Sequence, residues 1–178
     1  MLKPTKSKRL RAGDAGFAIV ASQYNARYVD AMLRAAQAEF KRAGANHVQV
    51  VRVPGAYEIP VVAARLARLS GSPATPGRKS TTQDSPLAAI ICLGVVLRGE
   101  TTHAAHIGEA VSRALMEIQL RYEVPVIHEV LLLENHEQAR VRCLGKKHNR
   151  GLEAAQTALT MASVMQGLNG QGARPTDH

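Results

Sequence analysis

Short apolar segments alternate with helical patterns along this chain of 178 residues, and this alternation constrains its fold more than any other feature. Apolar and β-branched runs predict four strands, at Phe17–Ala21, His47–Val53, Leu87–Leu93 and Pro125–Leu131. Apolar stripes at helical spacing predict the helices Tyr28–Gly44, Pro60–Leu69, Ile107–Tyr122, Glu137–Arg142 and Gly151–Leu168. Such alternation implies right-handed crossovers and an α/β fold, a three-layer α-β-α sandwich around a four-stranded parallel sheet.

The length fits one domain with extensions. We predict a single domain over residues 16–168, preceded by a disordered basic tail at 1–15 and followed by a flexible polar tail at 169–178. Residues 71–86 are rich in Gly, Pro, Ser and Thr and show no apolar periodicity. We interpret them as a loop insertion within the domain.

The net charge of +9 suggests a nucleic-acid partner until the basic residues are located. Five of them lie in the first eleven residues, within the predicted tail. A second group, between Arg140 and Arg150, fits either a solvated helix end or a phosphate pocket. With four Tyr, two Phe and no Trp, the chain lacks the interleaved aromatic side chains of a single-strand binder. We therefore expect no nucleic-acid partner.

The lengths of the apolar segments and the positions of the cysteines indicate the cellular compartment. No apolar stretch approaches the roughly 20 residues of a membrane helix, and the first residues lack the apolar region of a secretory signal. Cys92 lies inside an apolar strand and Cys143 far from it in sequence, which predicts two free thiols rather than a disulfide or a Cys-rich metal site. We expect a cytoplasmic protein without a membrane partner.

Candidate functional residues follow the predicted strands. In parallel α/β folds ligands bind beyond the carboxyl ends of the strands. The segments after these ends carry Tyr24, Glu58, His103 and, further on, Arg142, which we expect to converge on one rim. We interpret Gly94 as a turn that ends the third strand, where free N–H groups at the following helix suit an anion and His103 can exchange a proton near neutral pH. The alternative is an ordinary capped helix start with a solvent-facing histidine.

Three motifs within this pattern resemble the lumazine synthase family. They are Gly55-Ala56-Tyr57-Glu58-Ile59-Pro60, then Arg98-Gly99-Glu100-Thr101-Thr102-His103, and finally Glu134-Asn135 followed by Glu137-Gln138-Ala139 and Arg142. The resemblance spans about Phe17 to Leu168. It implies a flavodoxin-like sheet and the condensation of 5-amino-6-(ribitylamino)uracil with 3,4-dihydroxy-2-butanone 4-phosphate to 6,7-dimethyl-8-ribityllumazine. It implies no metal or redox cofactor.

The resemblance assigns residues to the ribitylaminouracil substrate. Tyr24 matches the aromatic residue that stacks on the pyrimidine, although a core tyrosine is the alternative. The remaining matches are the loop that holds the ribityl chain and the strand end that contacts the uracil through its backbone, namely Ala56, Tyr57, Glu58, Val95, Val96 and Leu97. Without the family, Glu58 is interpreted as a first-turn helix glutamate stabilised by the helix dipole.

The resemblance also assigns residues to the butanone phosphate and to proton transfer. Glu100, through its N–H, and Thr101 match the phosphate donors, and Arg142 matches the arginine that grips the phosphate. His103 matches the histidine that transfers protons, and Glu153 stands where the family has an aspartate that orients it. Lys146 and Arg150 either add positive potential nearby or form surface salt bridges.

Two departures from the family pattern concern this site. Ala104-Ala105-His106 replaces the aromatic and acidic residues that usually follow the histidine. His128 stands where a neighbouring subunit normally presents a phenylalanine to the bound ring, so stacking and its pH dependence are open. His103 and His106 lie three residues apart, but no third ligand follows by spacing, and no metal is predicted.

Assembly is a further implication of the resemblance. It implies a homo-pentamer with sites between adjacent subunits, and leaves a decamer or a shell of sixty subunits open. Two other interpretations remain: a flavodoxin-like carrier, which would need a glycine-rich phosphate loop that Ser22-Gln23-Tyr24-Asn25 lacks, and a binding or scaffold protein derived from the family.

Overall fold

A computed structural model describes residues 11–70, 86–145 and 148–171 of the chain. Its strands are β1 (Gly16–Ser22), β2 (His47–Val53), β3 (Leu87–Leu97) and β4 (Val126–Leu133). Its α-helices are α1 (Ala26–Arg42), α2 (Ile59–Ser70), α3 (His103–Tyr122), α4 (His136–Cys143) and α5 (Arg150–Gln171), and a 3-10 turn at Ala56–Glu58 precedes α2. The strands pair in parallel in the order β2-β1-β3-β4. The predicted α/β fold with a four-stranded parallel sheet is confirmed.

The sheet separates two apolar cores because alternate side chains of a strand point to opposite faces. On one face Phe17, Ile19 and Ile91 pack with α1, α4 and α5. On the other face Val20 and Ile90 pack with α2 and α3. Both faces of the central strands are therefore buried, which explains why these strands are continuous apolar runs.

The prediction that Gly94 forms a turn is wrong. β3 continues through Gly94 to Leu97, and Gly94 pairs in register with Val130 of β4. A Cβ at Gly94 would lie 3.1 Å from Val130 Cγ1 and 3.3 Å from Ile59 Cδ1. The glycine is thus required by close packing inside a strand, and the connection to α3 lies four residues later, at residues 98–102.

The predicted extensions lie largely outside the described residues. Residues 1–10, 71–85 and 172–178 are not described, and α5 continues to Gln171. Within the predicted N-terminal tail, the Ala12 N–H donates to the Ala43 carbonyl at 3.0 Å. The residues that flank the insertion meet, because the Leu87 N–H donates to the Ser70 hydroxyl. Leu87 begins β3, so these two flanking residues lie at the amino end of that strand.

Two further properties concern the described residues. None of the described helices combines the length and apolar character needed to cross a bilayer. Within the same ranges, no group of three or more His, Cys, Asp or Glu side chains is placed to hold a metal ion.

Candidate active site

The loops after β1 and β2 are joined by backbone hydrogen bonds. The Gln23 N–H donates to the Val53 carbonyl at 2.8 Å, and the Tyr24 N–H donates to the Pro54 carbonyl at 3.1 Å. These bonds place the Tyr24 ring beside Gly55, where an added Cβ would lie 3.3 Å from Tyr24 Cδ2. Tyr24 is 73% exposed, so the alternative of a core tyrosine is wrong. Its ring lies at the carboxyl edge of the sheet.

Asn25 connects the loop after β1 to the end of β3. It precedes α1 in a left-handed conformation, with φ of 55°, and its amide donates to the Val95 carbonyl at 2.8 Å. The strand order reverses between β1 and β3, and this is where ligands bind in such sheets. The sequence analysis missed Asn25, although an asparagine directly before a helix is a signal because asparagine adopts this conformation more readily than most residues.

Glu58 closes the turn that precedes α2. Its Oε2 accepts a hydrogen bond from the Gly55 N–H at 2.8 Å, as in a capping box. This agrees with the interpretation of Glu58 as a first-turn glutamate. Tyr57 is exposed and Ala56 is buried. The side chain of Glu58 is exposed, so its second oxygen remains accessible at the rim.

The connection after β3 forms the next part of this edge. The Arg98 N–H donates to the Leu133 carbonyl at 2.8 Å, and the Arg98 guanidinium pairs with Glu134 at 3.0 Å. Thr102 occupies the N-cap of α3 without a side-chain capping bond, and Thr101 Oγ1 accepts a long 3.4 Å bond from the His103 N–H. The first turn of α3 therefore keeps backbone N–H groups available to a ligand.

We call this edge the rim, and define it as Tyr24, Asn25, residues 55–58 and residues 95–103. Of its predicted site residues, Val95 is buried, Val96 and Leu97 are half-buried, and Glu100, Thr101 and His103 are exposed. The carboxyl ends of parallel strands meet at one edge of a sheet, so the aromatic ring, the carboxylate and the imidazole lie along the same rim.

A second group lies on β4, α4 and α5 and contains the predicted site residues His128, Arg142 and Glu153. We call it the β4 flank, and define it as His128, Glu129, Arg142, Arg150 and Glu153. Arg150 Nε donates to Glu129 Oε2 at 2.9 Å, and Arg150 Nη1 donates to Glu153 Oε2 at 2.6 Å. Of the two interpretations of Arg150, the ion pair is the one present, and its guanidinium connects the two carboxylates. Lys146 lies outside the described residues.

Burial dominates the protonation of Glu129. The side chain is 7% exposed, and desolvation raises its pKa to about 7 although Arg150 acts in the opposite direction. Glu153 adds to the rise in this pKa, while the charge of Arg142 opposes it. Near neutral pH, Glu129 is therefore present in two forms, a neutral carboxylic acid and a carboxylate that pairs with Arg150.

Capping interactions at the start of α4 place Arg142. Asn135 Oδ1 accepts from the Gln138 N–H at 2.9 Å, and Gln138 Oε1 accepts from the Glu134 N–H at 3.0 Å. Ala139 and Cys143 bury one side of the short helix, which leaves Arg142 exposed on the other. Part of the motif that carries the family resemblance therefore acts by fixing this helix.

His128 lies on the opposite face of β4 from Glu129. Its Nε2 is 2.8 Å from Ser112 Oγ on α3, and its Nδ1 accepts from the Val130 N–H at 3.2 Å. The ring is half-buried, and burial lowers the pKa of His128.

The rim and the β4 flank remain apart within one chain. Glu129 precedes the end of β4 by four residues, which corresponds to about 13 Å along a strand. In the part of the chain that the structure describes, no hydrogen bond or ion pair joins the two groups, and His103 is not bonded to Glu153. Tyr24, Glu58 and His103 each follow a strand end at the rim, whereas Arg142 has no hydrogen bond or ion pair with a rim residue in the described ranges. The convergence of all four on one site stays a prediction. β4 is an edge strand, so one side of its backbone has no strand partner within the described residues.

Two grooves on the surface lie outside both groups. One, of about 410 Å³, is lined by α1 and the connection from α4 to α5, including Arg34, Glu39 and Asn149. The other, of about 330 Å³, follows α3 and includes His106 and Arg113. Neither groove contains a residue that the sequence analysis assigned to the site.

Comparison with known proteins agrees with the motifs. The family described as 6,7-dimethyl-8-ribityllumazine synthase matches residues 14–166. A protein of the same description from Xanthomonas campestris pv. campestris (strain B100) is 38% identical over 159 residues, which cover 88% of this chain and 94% of the relative. One from Stenotrophomonas maltophilia (strain R551-3) is 38% identical over 156 residues, which cover 86% of this chain and 91% of the relative. This chain therefore belongs to the lumazine synthase family.

Proposed function

We propose that this chain, a lumazine synthase of riboflavin biosynthesis, carries out its reaction where the rim of one subunit meets the β4 flank of the next. The observation that carries this proposal is that Glu153 bonds to Arg150 and not to His103, and that no hydrogen bond or ion pair joins the rim to the β4 flank within the described residues. Neither surface holds the whole set, but a neighbouring copy can supply the missing part. A ring of such heterologous contacts closes if the rotation between subunits fits.

The rim binds 5-amino-6-(ribitylamino)uracil in this proposal. Tyr24 stacks on the pyrimidine, a contact worth about 0.5 to 1.5 kcal/mol beyond the area that it buries. The ribityl hydroxyls bond to the backbone at Ala56 and Tyr57 and to the free oxygen of Glu58, and the uracil contacts the backbone of residues 95–97. The exposure of Tyr24 and the bond from Asn25 to the Val95 carbonyl support this arrangement, because they hold a ring surface open beside a fixed strand end.

The β4 flank of the neighbour completes the site for 3,4-dihydroxy-2-butanone 4-phosphate. Arg142 forms a charge-assisted pair with the phosphate, and the Glu100 N–H and the Thr101 hydroxyl donate from the rim. The carboxylate of Glu100 takes no part, since two negative groups repel. His128 of the same neighbour lies against the bound ring.

Proton transfers follow from the substrates. The amine of the pyrimidine condenses with the ketone to an imine, phosphate leaves by elimination, and the ribitylamino nitrogen closes the second ring with loss of water. His103 carries protons between these groups, and Glu153 of the neighbour orients it. General acid-base catalysis contributes about 10²- to 10⁴-fold, whereas positioning two reactants supplies about 7 to 11 kcal/mol. Binding geometry is therefore the larger part of the acceleration.

The proposed assembly is a homo-pentamer, with a decamer or a shell of sixty subunits as larger forms. Light scattering after size exclusion measures the number of subunits. We place the enzyme in the cytoplasm, and its two buried, unpaired cysteines are typical of a reducing compartment.

Fluorescence of the lumazine product tests the activity directly. Incubating the full chain with both substrates should produce it, whereas a yellow, flavin-loaded protein that makes none would favour a carrier or scaffold. Co-expression of two damaged chains tests where the site lies. His103→Ala damages the rim and Arg142→Ala the β4 flank, so random mixing should leave about a quarter of the interfaces with both halves intact.

The matched control combines two rim variants. Co-expressed His103→Ala and His103→Gln chains lack the histidine on every rim, so no interface regains both groups. Recovery in the first mixture and none in the control supports a shared site. Equal activity in the two mixtures would contradict it.

A further inference from the structure

The outer edge of β4 carries side chains that cap its backbone. N–H groups on the free side of an edge strand lack a strand partner. The Val126 N–H donates to Gln119 Oε1 at 3.0 Å, and the Val130 N–H donates to His128 Nδ1 at 3.2 Å. His128 therefore turns its ring along the edge of its own strand, with Nδ1 as a hydrogen-bond acceptor.

The second ring nitrogen is fixed by Ser112. The Ser112 hydroxyl donates its one hydrogen to the Gly108 carbonyl at 2.7 Å, one turn earlier in α3. The same oxygen lies 2.8 Å from His128 Nε2, so it can only accept there. The two contacts together select one form of the imidazole, neutral and protonated on Nε2.

The surroundings of His128 do not favour a charged ring. Burial lowers the pKa of His128 and outweighs the hydrogen bond to its own backbone, which raises it. A proton on Nδ1 would also face the Val130 N–H. On α3, Glu109 and Arg113 pair with each other at 3.2 Å. On β3, the register partner Cys92 stays a neutral thiol because burial raises its pKa.

Charges on β4 itself do not reverse this conclusion. Glu129 lies on the opposite face of the strand, and its carboxyl is bound by Arg150. In the described part of the chain, His128 has no ion-pair partner among the carboxylates.

We propose that Ser112 is a positioning residue that holds His128 as a neutral, Nε2-protonated imidazole, so that the neighbouring active site meets an uncharged ring face of fixed orientation. The part that concerns the active site rests on the function proposed above. Both ring nitrogens are already bonded within the subunit, so His128 contacts the substrate by its face and selects a planar ring. The Ser112 hydroxyl thereby keeps the His128 ring neutral and fixed in orientation. A phenylalanine at this position would be neutral without such a hydrogen bond.

Nitrogen NMR of the assembled, full-length protein labelled with ¹⁵N-histidine tests the first part. The His128 signals are assigned by their loss in His128→Phe. At pH 7 they should show a neutral ring protonated on Nε2, and Ser112→Ala should shift the Nε2 signal because its hydrogen-bond partner is lost. A cationic ring at that pH, or a proton on Nδ1, would overturn the proposal. This readout does not depend on catalysis, so it stands even if no lumazine forms.

Steady-state kinetics test the second part. Ser112→Ala should raise KM for ribitylaminouracil about two- to tenfold, the effect of one hydrogen bond, with kcat little changed. Ser112→Thr, which keeps the hydroxyl, should restore KM. Thr160→Ala is the matched control, because Thr160 Oγ1 makes the same kind of bond to the Gln156 carbonyl at 2.8 Å on an exposed helix face.

The double variant separates positioning from a general effect on α3. In a His128→Phe chain, Ser112→Ala should leave KM unchanged, because the phenyl ring has no nitrogen to fix. An equal rise in KM in both backgrounds, or no rise in either, would overturn the assigned role. If the wild-type chain makes no lumazine, the same comparisons are made with the dissociation constant of 6,7-dimethyl-8-ribityllumazine, and an unchanged constant in Ser112→Ala counts against the role.

Discussion

Replacing Glu129 with glutamine should remove a pH-dependent cost of folding. Glu129 is buried against α5 and its pKa is raised to about 7 by desolvation, from 4.5 in an unperturbed carboxyl. Above pH 4.5 the folded chain therefore binds a proton that the unfolded chain has released. A raised carboxyl pKa stabilises the fold fully below 4.5, and this contribution is lost as pH rises toward 7.

The magnitude follows from the separation of the two pKa values. The interval from 4.5 to about 7 is about 2.5 pH units, and each unit corresponds to about 1.4 kcal/mol, so the loss is about 3 kcal/mol. Glutamine has no charge to desolvate and keeps an oxygen that can accept from Arg150 Nε. Glu129→Gln should therefore gain about 3 kcal/mol relative to wild type between pH 4.5 and pH 8.

Urea unfolding at fixed protomer concentration between pH 5 and pH 8 measures this difference. The control is Glu137→Gln, an exposed carboxyl 2.6 Å from Arg140 whose hydrogen bond lowers the Glu137 pKa. The control difference should be small and of opposite sign. A free-energy difference between Glu129→Gln and wild type that does not vary with pH would refute the assignment of a raised pKa to Glu129.

Four other substitutions test the site and the packing. His103→Ala should slow lumazine formation by about 10²- to 10⁴-fold yet leave it faster than in buffer alone, and a rate equal to that in buffer would contradict the larger part given to positioning. Gly151→Ala should prevent normal packing of α5 on α1, because its Cβ would lie 1.9 Å from the Met32 carbonyl oxygen. Gly167→Ala, in the same helix, meets nothing within 4 Å and should raise the free energy of unfolding by about 0.5 to 1 kcal/mol. Equal melting temperatures for these two variants would contradict that difference. Asn25→Gly keeps the left-handed conformation but loses the bond to Val95, so it should raise KM for ribitylaminouracil and cost about 1 kcal/mol in unfolding free energy, and unchanged values would show that this bond does not matter.

Local patterns were sufficient for most of the fold. Apolar periodicity predicted the four strands of the sheet and placed the helices. A strand or helix buries one or both faces, and this leaves a local apolar pattern that does not depend on which element packs against it. The error at Gly94 shows the limit. A glycine between apolar residues indicates a turn when it is considered alone, and only the approach of Ile59 and Val130 from other elements shows that it lies inside a strand.

The rim followed from sequence because parallel strands bring their carboxyl ends to one edge. The amino-acid pattern was therefore enough to place Tyr24, Glu58 and His103 after strand ends at this edge. It could not place Arg142, since its position depends on how α4 packs beside β4. The alternation of a strand puts His128 and Glu129 on opposite faces, but their partners Ser112 and Arg150 lie 16 and 21 residues away.

The sequence by itself determined the order of strands and helices, the family and the chemistry that its motifs carry, because these depend on residue types at short spacing. Tertiary structure alone decided that Arg150 connects Glu129 and Glu153, that Glu129 is buried, and that Ser112 contacts His128. The physical reason is that protonation and hydrogen bonding depend on which distant groups exclude water or supply a partner, and packing sets those distances.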